Sequence, residues 1–172
     1  MSSLTDLKGT YVIDAVHSRI GFSARHAMVT KVRGGFSQFE GTAQLNGEDP
    51  TASNVNISIQ SGSFDSGVQM RDDHVKSGDF LDVEAYPTLS FSSTDVTGDL
   101  TIKNLTHPIT IPFSYLGTAK DPFGNVRSGF EGETTINRKD YGIVWNAALE
   151  TGGVLVSEKV TLDIEISAIL QP

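Results

Sequence analysis

The chain has 172 residues, 38% of them hydrophobic, enough to bury one sizeable core, and its 20% charged residues are ordinary for a globular protein. Acidic residues outnumber basic ones 21 to 13, for a net charge of -8, which disfavours nucleic acid and anionic membrane surfaces, since both need clustered Lys and Arg. Cysteine is absent, so disulfides, thiolate chemistry and Cys-ligated zinc are excluded.

The start, MSSLTDLKGT, carries no basic region followed by an apolar stretch and a cleavage site, and no later stretch approaches the ~20 apolar residues of a membrane helix. A cytoplasmic protein without an integral membrane segment is the expectation. TYVID (10–14) reads as a weak strand. In DAVHSRIGF (14–22), Asp14, His17 and Ser18 are suited to bond one another's backbone in a turn that leads into the next strand. FSQFEGTAQL (36–45) follows, then GEDP, a turn. NVNISIQ (54–60) alternates cleanly, with Val55, Ile57 and Ile59 on one face.

DSGVQMRDDHVKSG (65–78) breaks the alternation. Asp65 and Ser66 are candidate N-caps, Lys76 falls in a last turn, an Asp72–Lys76 pair has i,i+4 spacing, and Gly78 ends the run. A short helix near 67–77 is predicted. It carries Asp72, Asp73 and His74, which resemble a ligand set, but consecutive helical residues diverge by about 100° and do not converge on one ion. Capping and ion pairing are the expected roles, with no metal and no cofactor.

TLSFSSTDV (88–96), DLTIKNL (99–105), PITIPFSYLGTA (108–119) and SGFEGETTIN (128–137) are further strands, separated by TGD, NLTHP and DPFGN as turns, with His107 in a loop before Pro108. KVTLDIEISAIL (159–170) gives the longest alternation, with Val160, Leu162, Ile164, Ile166 and Ala168 on one face. About eight or nine strands with few helical intervals predict an all-β fold, an antiparallel sandwich or a closed barrel, in one domain over 1–172. Side-chain filling and a lipid-holding lumen are both open to such a barrel. No G-x-S-x-G elbow, P-loop or dinucleotide fingerprint is present.

The motifs YVIDAVHSRIGFSARH (11–26), GGFSQFEG (34–41), MRDDHVKSGDFLDVEAYPTLSF (70–91), GDLTIKNLTHPITI (98–111), DPFGNVRSGFEGETTINRKDYGIVWN (121–146) and GGVLVSEKVTLDIEI (152–166) run in register over nearly the whole chain. Together they resemble the YceI-like, or polyisoprenoid-binding, family. The resemblance implies an extended, lipocalin-like antiparallel β-barrel of about eight strands, with a channel that holds an isoprenoid or other long-chain amphiphile without catalysis. On that resemblance, Phe22, Ile57, Ile59, Phe91, Ile102, Ile111, Phe113, Phe130, Val160, Leu162 and Ile164 are candidate channel-lining residues. Arg71, Arg127 and Arg138 are candidates for a pyrophosphate or quinone head at the mouth, and Trp145 belongs to the same set or, with Asn146, to a structural corner with its indole N–H bonded internally. The implied role is carriage, storage or sequestration of the lipid. The alternative is an enzyme on a small amphiphile with His17, His26 or His74 and an aspartate as general base, which requires two of these side chains to meet beside a cavity. A homodimer is the favoured assembly.

Overall fold

The structure is a computed structural model that describes residues 3–93 and 97–172. The strands are β1 (Lys8–Ile13), β2 (Arg19–His26), β3 (Thr30–Phe36), β4 (Phe39–Asn46), β5 (Asn54–Gln60), β6 (Phe64–Asp65), β7 (Thr88–Ser93), β8 (Thr97–Ile102), β9 (Leu105–Thr110), β10 (Phe113–Lys120), β11 (Val126–Asn137) and β12 (Val156–Leu170), with α1 (Gln69–Lys76) between β6 and β7. All twelve strands belong to one sheet, in the order β6-β3-β2-β12-β1-β4-β5-β7-β8-β9, with β10 on β11 and β11 on β12.

The long strand β12 is the branch point. Along one edge it pairs antiparallel with β11 from Lys159 to Ile169. The other edge is shared: Val156 to Glu165 pair with β2, and Ala168 to Leu170 pair with β1. The turn between β1 and β2 makes this split, and Ser18 in that turn accepts from the Ser167 amide at 2.9 Å.

Twelve strands replace the predicted eight or so, and among the described residues the ladder does not close, because β9 pairs only with β8 and β10 only with β11. Two prolines account for the gap. Pro112 separates β9 from β10 inside the run predicted as one strand, and Pro108, which has no N–H to donate, sits on the unpaired edge strand β9. His107 therefore lies on a strand, not in a loop, and TGD (97–99) is strand as well. β2 and β3 escape the alternation rule because glycine interrupts them. At Gly34 a Cβ would come within 2.6 Å of the Phe22 ring, so the missing side chain is what lets that ring lie across β3. Of TLSFSSTDV, residues 94–96 lie outside the described residues.

The predicted helix is present but is capped differently. Val68 occupies the N-cap and makes no side-chain cap bond. Instead Asp72, which is buried, reaches back to accept from the Ser66 amide at 2.9 Å and from the Ser66 hydroxyl. The Asp72 carboxylate therefore faces Ser66, not Lys76. Leu81 then returns the chain to the core, which gathers Ile20, Phe39, Ile57, Ile59, Phe64, Leu89, Phe91, Leu100, Ile102, Ile111, Ile136, Tyr141, Ile143 and Ile164. A second cluster of Leu7, Tyr11 and Ala168 sits beside it, where β1 and β12 pair.

Candidate functional site

Strand alternation turns one face of each strand inward, and at one end of the sheet the inward side chains stop short of filling the space. They leave an apolar cavity of about 270 Å³. Its walls are Tyr11 and Ile13 on β1, Ala43 and Leu45 on β4, Val55 and Ile57 on β5, Phe91 and Ser93 on β7, Phe113 on β10, Phe130 on β11, and Ile166 and Ala168 on β12. The rim comes from a short helical turn at Leu4–Asp6, with Leu4 and Leu7, and from the β4–β5 connection, with Asn46, Gly47, Pro50, Ser53 and Asn54. That connection is self-satisfied: Asn46 Oδ1 accepts from the Glu48 and Asp49 amides at 3.2 Å, and Ser53 Oγ accepts from the Asn46 amide at 2.9 Å.

One polar group in the wall stands apart. Ser93 is only 5% exposed, and its hydroxyl has no hydrogen-bond partner among the described residues. Burying a hydroxyl without a partner costs about 1–3 kcal/mol. Ser93→Ala is therefore expected to raise stability by about 1 kcal/mol in denaturant unfolding. A loss of stability would show that the hydroxyl is bonded after all.

Of the residues singled out in the sequence, Ile57, Phe91, Phe113 and Phe130 line the cavity. Ile59, Ile102, Ile111 and Ile164 are buried in the solid core, and Phe22, Val160 and Leu162 pack against it. Trp145 stacks edge-on against His74 at 4.5 Å and tilts over Phe80 at 5.5 Å, so ring contacts hold it and its indole N–H makes no bond among the described residues. Its neighbour Asn146 forms the corner, donating to the Val156 carbonyl at 2.8 Å and accepting from the Val156 amide at 3.0 Å.

None of the three arginines borders the cavity. Arg71 donates to Ser66 Oγ at 2.7 Å, Arg138 turns inward to backbone carbonyls, and Arg127 bridges Asp14 and Asp121. The sequence candidates omit Tyr11, Ile13, Ala43 and Leu45, although their alternation on β1 and β4 is readable, and stop at Ile164 although Ile166 and Ala168 share its face. Leu4 and Leu7 belong to no alternating run, so no sequence signal marked them.

The histidines take separate partners. His17 Nδ1 meets Asp14 Oδ2 at 2.7 Å, His74 Nε2 meets Asp79 Oδ2 at 2.9 Å, and His107 Nε2 donates to the Asp140 carbonyl at 2.7 Å. His26 ends β2 opposite Val156. Asp73 accepts from Gln69 at 2.7 Å, so Asp72, Asp73 and His74 diverge as helix geometry requires.

The Asp14–Arg127–Asp121 bridge ties the β1–β2 turn to the β10–β11 hairpin. The Arg127 guanidinium, with help from His17 and the Val16 amide, holds the Asp14 carboxyl at about 2. Asp121 is held well below the usual carboxylate range by the Asn125 amide and then by Arg127. Both folded-state values are depressed, so the stabilisation is complete above about pH 4, where unfolded carboxylates are ionised, and is lost as pH falls from there through about 2. Arg127→Ala is expected to flatten the acid limb of the thermal-midpoint profile between about pH 4 and 2. An unchanged limb would show that the bridge contributes nothing.

Against known proteins, the chain matches the model of the YceI-like domain over residues 11–168. It is 38% identical over 136 residues to a UPF0312 protein of Pseudomonas aeruginosa, covering 74% of this chain and 71% of the relative. A UPF0312 protein of Azotobacter vinelandii is 37% identical over 145 residues, covering 77% and 76%. Among solved structures, Burkholderia cenocepacia BcnA is similar with a TM-score of 0.78 at 21% identity, over 90% of this chain and 98% of that one. A polyisoprenoid binding domain from Saccharophagus degradans is similar with a TM-score of 0.70 at 14% identity, over 94% and 98%.

Proposed function

Because this chain belongs to the family of YceI-like domains, we propose that it binds an isoprenoid-type lipid without transforming it and carries or stores it with the chain in the cavity. The observation that carries this reading is the cavity itself, whose walls are aliphatic and aromatic side chains apart from Ser93. Such a site binds by removing chain from water, at about 0.8 kcal/mol per buried methylene, and needs no acid or base. The similar polyisoprenoid binding domain supports the same ligand class.

The rim refines the head group. Asn46 and Asn54 present carboxamide groups at the rim, the Ser53 hydroxyl being engaged with the Asn46 backbone, and no arginine or lysine lines the cavity. A neutral head of the quinone or alcohol type suits this rim better than a pyrophosphate, which takes charge-assisted bonds from cations. The enzyme alternative gains no support: His17 and His74 each pair with an aspartate on a different element, and no bond joins two of the candidate histidines among the described residues.

The test is extraction of the purified protein with organic solvent and mass spectrometry of the extract, alongside titration of the stripped protein with a prenylated quinone. Recovery or saturable uptake of a prenyl lipid is the expected result. No recovered lipid together with no uptake overturns the reading. Light scattering on the same sample tests the proposed homodimer.

A further inference from the structure

Alternation on β7 turns Leu89, Phe91 and Ser93 to the buried face, so apolar packing is the rule there and Ser93 is the exception. Elsewhere the fold pairs its buried polar side chains. Ser61 Oγ donates to the Tyr86 carbonyl at 2.7 Å, Ser128 Oγ meets Thr118 Oγ1 at 2.6 Å, Asp72 accepts from Ser66, and Arg138 reaches three carbonyls. Two hydroxyls among the described residues are left over, those of Ser93 and Tyr141. Tyr141 belongs to the core and does not border the cavity, whereas Ser93 is part of the cavity wall.

Its position is as telling as its lack of a partner. Ser93 stands opposite Val55 on β5 and Gly98 on β8, and neither offers a polar side chain. Val55 directly follows Asn54 of the rim, and the next pair inward on this face, Ile57 with Phe91, lies about 7 Å deeper. The hydroxyl therefore sits one step inside the mouth, with apolar wall below it. A single side-chain torsion carries its oxygen between staggered positions, so it turns to a ligand without movement of the strand. The rim is less free: Asn46 Oδ1 accepts from the Glu48 and Asp49 amides, and Ser53 Oγ is engaged with the Asn46 backbone.

We infer that Ser93 is the polar anchor of the cavity, donating its hydroxyl to an oxygen acceptor on the lipid head, of the ketone, quinone or alcohol kind, while the chain runs inward past Phe91. The inference rests on the lipid-binding reading above. It adds selection by head group, because a buried donor that stays unpaired until the ligand arrives favours an oxygen-bearing lipid over a hydrocarbon of the same shape.

Calorimetric titration of the stripped protein with geranylacetone, a prenyl ketone, and with the hydrocarbon in which a methylene replaces the carbonyl tests it. Ser93→Ala is expected to weaken the ketone roughly tenfold, the size of one hydrogen bond, and to leave the hydrocarbon within about twofold. A serine that only packs would shift both ligands alike. The infrared carbonyl stretch of the bound ketone is a second reading: it is expected to move to lower frequency in the wild-type protein and to return in Ser93→Ala. Circular dichroism checks that the variant folds, and if it does not, the wild-type stretch decides. A variant that treats the two ligands alike, an unshifted stretch, or a shift that survives Ser93→Ala overturns the anchor and leaves lipid binding standing. No binding of either ligand to the wild-type protein overturns both.

Discussion

Replacing Arg138 with alanine is expected to lower the thermal midpoint by roughly 10 °C, from a loss of about 3–5 kcal/mol. The residue follows β11 directly and is only 4% exposed. Its Nε donates to the Ser157 carbonyl at 2.9 Å, Nη1 to the Ile143 carbonyl at 2.8 Å, and Nη2 to the Val156 carbonyl at 3.3 Å, while the guanidinium lies 6.0 Å from the centre of the Phe80 ring. One side chain thus joins the end of β11, the loop after it, the start of β12 and the segment that follows α1. Burial lowers its pKa from the usual arginine value, a sign that it is poorly hydrated, and the carbonyls it meets carry no full negative charge. Truncation leaves the Val156 oxygen with the Asn146 amide as a second donor, but it removes the arginine donor from Ser157 and Ile143. Arg138→Lys is expected to recover only part of the loss, since a single ammonium cannot span three carbonyls held by a planar fork. Thermal unfolding followed by circular dichroism measures both. A fall of less than about 3 °C for the alanine variant would mean that the clamp is dispensable.

Gly47→Ala is expected to release the N-terminal turn from the cavity rim and to speed ligand dissociation roughly tenfold. The new Cβ would stand 1.7 Å from the Leu4 carbonyl oxygen and 2.7 Å from its carbon. Both are backbone atoms, so no rotamer change relieves the clash. The turn is held in its own shape by a capping box, with the Ser3 amide donating to Asp6 at 2.7 Å and the Thr5 amide to Ser3 Oγ at 3.4 Å, and so it moves as a unit. With it would go the bond from the Gly47 amide to the Leu7 carbonyl at 2.7 Å, and Leu4 and Leu7 would leave the cavity wall. Uncovering a buried leucine alone costs about 1.5–3 kcal/mol, and the lower end of that range corresponds to the tenfold. Stopped-flow displacement of a bound prenyl lipid reads the rate. Deleting the first seven residues should reproduce the effect, and an unchanged off-rate in both variants would show that the turn does not retain the ligand.

How far the sequence shows all this depends on which force wrote each part. β5, β7 and β12 are legible because their two faces meet different media, and that contrast is what period-two alternation records. β2 and β3 are not, since Gly21, Gly34 and Gly35 sit where neighbouring groups approach the backbone and no side chain is left to mark a face. The two-residue β6 is too short to carry a period. The cavity was half legible. Ile57 and Phe91 could be assigned an inward parity, but whether inward residues meet or leave a gap depends on side chains from seven strands at once. Arg138 shows the limit most clearly: its charge made it a candidate for a lipid head at the mouth, and only the carbonyls left by the surrounding loops explain why it points inside.

The branch point at β12 also bears on how the chain is made. Hairpins such as β2–β3, β7–β8 and β10–β11 can form from neighbouring sequence as it emerges, but β1 and β2 wait for a partner synthesised last among the strands, and the Ser18–Ser167 contact spans 149 positions. At about 5–20 residues per second, a ribosome needs roughly 10–30 s to bridge that span, and the apolar interior stays unsealed throughout. Emergence of β12, then, is the step that first lets the interior seal, and the interval before it is when a chaperone would matter most.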